Sequence, residues 1–179
     1  MSKNALSAAA LALILAASPA LAADAPQARV GELVQSALGL EQSTDLTGVT
    51  VDISGAATGL TVAADADAVL NALKGVIEYS ARSMTGRATR RLSIRIGRSG
   101  ANVEVELRDS GPGVAVADLL KVYGGASSPH SALALLFRSN RLAQSVGGRL
   151  LIDSEEGVGA DYLIELPLGK NTGETVALR

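Results

Sequence analysis

Asp109-Ser110-Gly111-Pro112-Gly113 places a carboxylate two residues ahead of a closely spaced glycine pair, between a strand-like run and a helix-like run. A carboxylate held at the end of a strand accepts hydrogen bonds from a ligand. Glycines beside it let the backbone turn and come close without a Cβ in the way. Pro112 stiffens the turn between them. This combination is the makeup of a nucleotide pocket, and Asp109, Gly111 and Gly113 are its candidate contacts.

Other chemistries find little support. The chain has no cysteine, so it holds no disulfide framework and no thiolate metal site. His130 is its single histidine, which excludes a multi-histidine metal centre, and no serine stands in a G-x-S-x-G setting. No metal ligands and no catalytic residues are assigned. One Phe, three Tyr and no Trp leave little for nucleic-acid recognition by stacking, and a net charge of -2 points the same way. Arg82, Arg87, Arg90, Arg91, Arg95 and Arg98 form the one concentration of charge. They read as a solvated edge and turn, with docking of an acidic partner or phosphate as the other reading.

The elements that position the motif follow from periodicity. The chain has 179 residues and is 47% hydrophobic, enough for one domain with a core of Val, Leu, Ile and Ala. Residues 27–40 carry Val30, Leu33, Val34 and Leu38 at helical spacing. Short strands are expected at 49–53 and 60–63. Asp65 then caps a helix with apolar positions Val69, Leu70, Leu73, Val76 and Ile77 that runs to about Met84. Leu92, Ile94 and Ile96 alternate with polar residues, as do Val103, Val105 and Leu107, with Ser99-Gly100 between them. This is a hairpin with one buried face. Helices at 114–122 and 132–146 flank a Gly/Ser-rich loop at 123–130, and strands at 150–153 and 162–166 flank Gly157-Val158-Gly159. Hairpin neighbours with helices interspersed give an α+β fold, a two-layer α/β sandwich whose mixed, mostly antiparallel sheet is covered on one face by helices.

The amino-terminal 22 residues differ from the rest. Lys3 precedes an apolar run over 5–17, and Ser18-Pro19-Ala20-Leu21-Ala22 offers an A-x-A cleavage site. Residues 1–22 read as a secretory signal peptide or, uncleaved, as a membrane anchor. Either form puts the domain, residues 23–169, outside the cytoplasm. A leader that does not function would leave the chain cytoplasmic. Residues 170–179 read as a loose tail.

In order, Arg108-Asp109-Ser110-Gly111-Pro112-Gly113-Val114, Gly147-Gly148-Arg149-Leu150, Glu156-Gly157-Val158-Gly159-Ala160 and Leu163-Ile164-Glu165-Leu166-Pro167-Leu168 resemble the ATP-binding catalytic domain of sensor histidine kinases, within the GHKL or Bergerat ATPase family. The resemblance covers about 28–169. It implies the Bergerat fold, ATP or ADP as ligand, and Asp109 as acceptor for the adenine amino group. If active, the enzyme would be a histidine-kinase-type phosphotransferase or ATPase.

Two boxes depart from that pattern. Matching Glu78-Tyr79-Ser80 to the close of the family's N-box helix puts Asn71 one turn before the magnesium-binding position and Gly75 at that position. The asparagine ligand is absent, which weighs against magnesium, and Glu78 stands where the family commonly has a cation. Gly75→Asn is therefore expected to improve magnesium-dependent binding and to stabilise the helix. The glycine pair whose amides cradle phosphate is matched by Ala132 and Ala134. No phosphoacceptor helix pair is present, and His130 reads as an ordinary loop histidine. The expected function is a histidine-kinase-like ATP-binding protein of signal transduction, catalytically impaired and working with a protein partner. The alternative is a non-catalytic protein-binding module that has lost nucleotide binding.

Overall fold

The computed structural model describes residues 27–39, 46–55, 59–124 and 131–170. The leader at 1–22, residues 171–179 of the tail expected at 170–179, and His130 lie outside the described residues.

The sheet has five strands in the order β2-β4-β5-β7-β6. These are β2 (Thr50–Ser54), β4 (Arg91–Ser99), β5 (Asn102–Asp109), β6 (Arg149–Glu155) and β7 (Gly159–Pro167). Only β2 and β4 run parallel; the remaining pairs are antiparallel. A separate small sheet pairs β1 (Gln27–Arg29) with β3 (Thr61–Ala63). The helices are α1 (Val30–Gly39), α2 (Ala66–Ser83), α3 (Val116–Gly124) and α4 (Leu133–Ser145). The expected α+β sandwich is therefore present.

Strand alternation builds the two faces. Leu92, Ile94 and Ile96 of β4, Val103, Val105 and Leu107 of β5, and Ala160, Tyr162, Ile164 and Leu166 of β7 are buried together with the apolar faces of the helices. Arg95, Glu106, Arg108 and Asp161 stand on the opposite face, where Arg95 pairs with Glu106 and Arg108 with Asp161. Asp65 caps α2 as its position predicts, accepting from the amides of Asp67 at 2.8 Å and Ala68 at 3.1 Å.

One expectation changes. Residues 27–29, read as the start of a helix, form β1 because their backbone pairs with β3, and α1 begins only at Val30. The two short strands expected at 49–53 and 60–63 join different sheets, β2 adding to β4 and β3 to β1. The arginine concentration is dispersed among internal partners. Arg82 pairs with Glu78, Arg87 donates to the Gly157 carbonyl at 3.1 Å, and Arg90 to the Thr47 carbonyl at 2.7 Å.

Candidate functional site

Asp109 is the last residue of β5, and the period of two that buries Leu107 turns its carboxylate toward the helices. The residue is 4% exposed. Its Oδ1 accepts from the Gly111 amide at 2.8 Å and its Oδ2 from the Tyr162 hydroxyl at 3.1 Å. Burial pushes the carboxyl above its ordinary range, outweighing the stabilising contacts from Gly111, Ser80, Tyr162 and Ala160. The Ser80 hydroxyl is close enough to favour the charged carboxylate, yet it makes no bond of ordinary hydrogen-bond geometry. Ser80 is fully buried on α2. Tyr162 packs edge-on against Tyr79, with ring centroids 6.2 Å apart, and burial raises both phenols.

The loop after Asp109 is pinned to the β6–β7 turn. Gly157 donates its amide to the Pro112 carbonyl at 2.7 Å, and Ser154 Oγ accepts from the Val114 amide at 2.6 Å. Ser110 Oγ accepts from the Arg91 amide and donates to the Thr89 carbonyl, tying the loop to the start of β4. Gly113 has φ +78°, and a Cβ there would stand 2.6 Å from the Glu155 carbonyl oxygen. Only glycine meets both conditions without strain. Gly111 is buried against Ser83 and Asp109.

The residues assigned to the phosphate end are not assembled in the same way. Asn71 is exposed, and its Nδ2 donates to the Asp67 carbonyl one turn back on α2 at 2.8 Å. Gly75 is buried where α4 crosses α2: a Cβ would overlap Ser139 Oγ and stand 3.1 Å from the Leu135 carbonyl oxygen. A side chain at Gly75 meets α4 at once, which opposes the gain expected from asparagine there. Glu78 pairs with Arg82 one turn on, so its charge is offset rather than presented alone. The Ala134 amide donates to the Ser131 carbonyl at 3.0 Å, and the Ala132 carbonyl accepts from Leu135 at 3.0 Å. Of the two alanine amides assigned to phosphate, the one at Ala134 is thus used within the first turn of α4. Among the described residues no group of three or more His, Cys, Asp or Glu could hold a metal ion.

This side of the loop carries the Asp109 acceptor and, in Ser80 Oγ, a buried polar atom with no hydrogen bond of ordinary geometry. Sequence reading named Tyr79 and Ser80 only as landmarks and left Tyr162 in its strand. The available signal was a hydroxyl-bearing ring at a core-facing β7 position in a chain with only three tyrosines. A cavity of about 450 Å³ opens beside the motif, lined by Asp109 and Ser110 together with Arg91, Arg108, Asp153 and Asp161.

Among the described residues no helix is long and apolar enough to cross a membrane. No curated protein sequence matches the chain. The Mycobacterial sensor histidine kinase MprB is similar in fold at TM-score 0.66 and 17% identity, over 80% of this chain and 99% of that one. The nucleotide-free catalytic domain of histidine kinase ThkA is similar at TM-score 0.67 and 17% identity, over 81% and 98%. Full-length ShkA in complex with AMPPNP is similar at TM-score 0.64 and 19% identity, over 80% of this chain and 31% of that one. Residues 64–170 match the family described as histidine kinase-, DNA gyrase B- and HSP90-like ATPases, and the chain belongs to that family.

Proposed function

We propose that this chain is a histidine-kinase-like nucleotide-binding domain of signal transduction that holds the base of ADP or ATP through Asp109 and does not turn it over. The observation that carries this reading is the seating of α4 on Gly75, which removes the position from which α2 would bind a metal. Metal neutralises phosphate charge and organises transfer, so chemistry suffers more from its loss than base binding does. The similarity to a kinase whose structure holds AMPPNP supports a nucleotide as ligand.

In this reading the domain signals through a protein partner, and any phosphoacceptor histidine is the partner's. If the leader at 1–22 functions, the domain works outside the cytoplasm or attached to the membrane, where ATP is scarce and an intact phosphate site gains little. Fractionation of a tagged chain with the mature mass measured tests that placement; full-length mass in the cytosol overturns it.

Isothermal titration with ADP, with magnesium and with a chelator, tests the binding reading. Equal affinities in the two conditions, and no ATP hydrolysis, are expected. No heat at millimolar ligand overturns it.

The two internal hydrogen bonds on Asp109 favour the second reading, a partner-binding module without nucleotide. It expects Asp109→Asn to leave partner binding unchanged.

A further inference from the structure

The cavity of about 450 Å³ beside the motif carries a cation on one wall and carboxylates on the other. In the register of the sheet Ser93, Arg108, Asp161 and Asp153 stand side by side across β4, β5, β7 and β6. The first three alternate with buried residues, and Asp153 is opposite Asp161, so this row lies on the face away from the helices. Arg91, two residues before Ser93 on β4, and Glu155, two residues after Asp153 on β6, extend both walls toward the same end. Gly159, opposite Glu155 on β7, has no side chain to fill the space between them.

The charges around this hollow do not cancel. Arg108 gives Nε and Nη2 to Asp161 at 2.5 and 2.6 Å, which uses both groups. Asp153 stands directly opposite Asp161, where like charges repel. Among the described residues the side chains of Asp153 and Glu155 have no hydrogen-bond or ion-pair partner, and neither has the Arg91 guanidinium. Arg91 differs in this from Arg82, Arg87, Arg90, Arg95 and Arg98, each of which has an internal partner. Asp109 and Ser110 also border the cavity, but their side-chain oxygens are bonded within the fold.

We propose that this cavity binds a basic amino acid with a free carboxylate, which Arg91 receives while Asp153 and Glu155 receive the cationic side chain. A cation alone leaves Arg91 unanswered, and an anion alone leaves the two carboxylates; a ligand with both ends satisfies both walls. The strands that carry the walls are three spacings apart, about 14 Å, so the span suits a long amino acid such as arginine rather than a compact zwitterion. Val158, 62% exposed among the lining residues, offers apolar surface to the methylenes of such a side chain. A peptide ending in arginine presents the same chemistry as the free amino acid. The Asp109 carboxylate is not among the groups used, so the site stands apart from the nucleotide reading.

Isothermal titration of the full chain with arginine, with agmatine (arginine without its carboxylate) and with Nα-acetylarginine (the end of a peptide) tests the assignment. Arginine is expected to bind at millimolar concentration, because exposed ion pairs are weak, and agmatine about 2- to 5-fold less tightly. Arg91→Ala is expected to lower arginine to the affinity of agmatine and to leave agmatine unchanged. Asp153→Asn combined with Glu155→Gln is expected to weaken both ligands. All three positions are exposed, so these variants keep their fold, which thermal unfolding checks. Nα-acetylarginine bound as tightly as arginine extends the site to peptide termini; failure of Nα-acetylarginine alone confines it to the free amino acid. Three results overturn the proposal. One is no binding of either arginine or Nα-acetylarginine at millimolar concentration. Another is agmatine bound by wild type as tightly as arginine, which leaves only an acidic surface. The third is a variant at either wall that binds arginine as wild type does.

Discussion

Gly75 of α2 lies directly beneath Ser139 of α4, so close that a Cβ on the glycine would overlap the serine hydroxyl. Two helices meet here backbone to side chain, in the region of the fold where the resemblance places a metal ligand.

Gly75→Asn tests that packing. Replacing a mid-helix glycine gains less than about 1 kcal/mol of helix propensity. Overpacking a closed helix crossing costs about 1–3 kcal/mol, and burying an unpaired amide adds about 1–3 kcal/mol more. The expected outcome is net destabilisation of about 2 kcal/mol or more in urea unfolding, with no magnesium-dependent gain in ADP affinity. Gly75→Ala is expected to cost less than asparagine, because its single methyl needs only the Ser139 hydroxyl to move and a small shift from the Leu135 carbonyl.

Asp109→Asn tests the buried charge. Burial raises the folded-state carboxyl above its ordinary value, so the folded protein binds more protons than the unfolded chain between those two values. Wild-type stability from this group therefore falls as pH rises through that window and stays reduced above it. The asparagine variant lacks this dependence. Urea melts are expected to show the variant at least as stable as wild type at neutral pH, its advantage vanishing as pH falls to the ordinary carboxylate value.

Gly113→Ala tests the loop that follows Asp109. The positive φ and the approach of the Glu155 carbonyl both oppose a side chain, and a strained residue of this kind costs about 1–3 kcal/mol. Thermal unfolding is expected to report that loss, with weaker ADP binding because the Gly111 amide that holds Asp109 shifts with the loop.

Tyr123→Phe tests an edge. The Tyr123 hydroxyl of α3 accepts the Ile152 amide of β6 at 2.9 Å, closing one outward-facing group on a terminal strand of the sheet. Losing this half-exposed bond is expected to cost about 0.5–1.5 kcal/mol. An uncovered edge also pairs with other chains, so sedimentation at high concentration is expected to show more self-association.

The sequence by itself determined the parts governed by short periods and local caps. Leu92, Ile94 and Ile96 with Val103, Val105 and Leu107 made the hairpin and its buried face legible, and Asp65 marked the start of α2, because alternation and capping act over a few residues. The same alternation put the Asp109 carboxylate on the helix side. Tertiary structure alone decided what that carboxylate meets. Tyr162 reaches it through the pairing of β5 with β7, and Gly75 meets Ser139 through the crossing of α2 and α4. Both contacts join residues far apart in the chain, where no local period acts. A glycine in a helix therefore reads as a lost ligand from sequence and as a packing site once its neighbour is known.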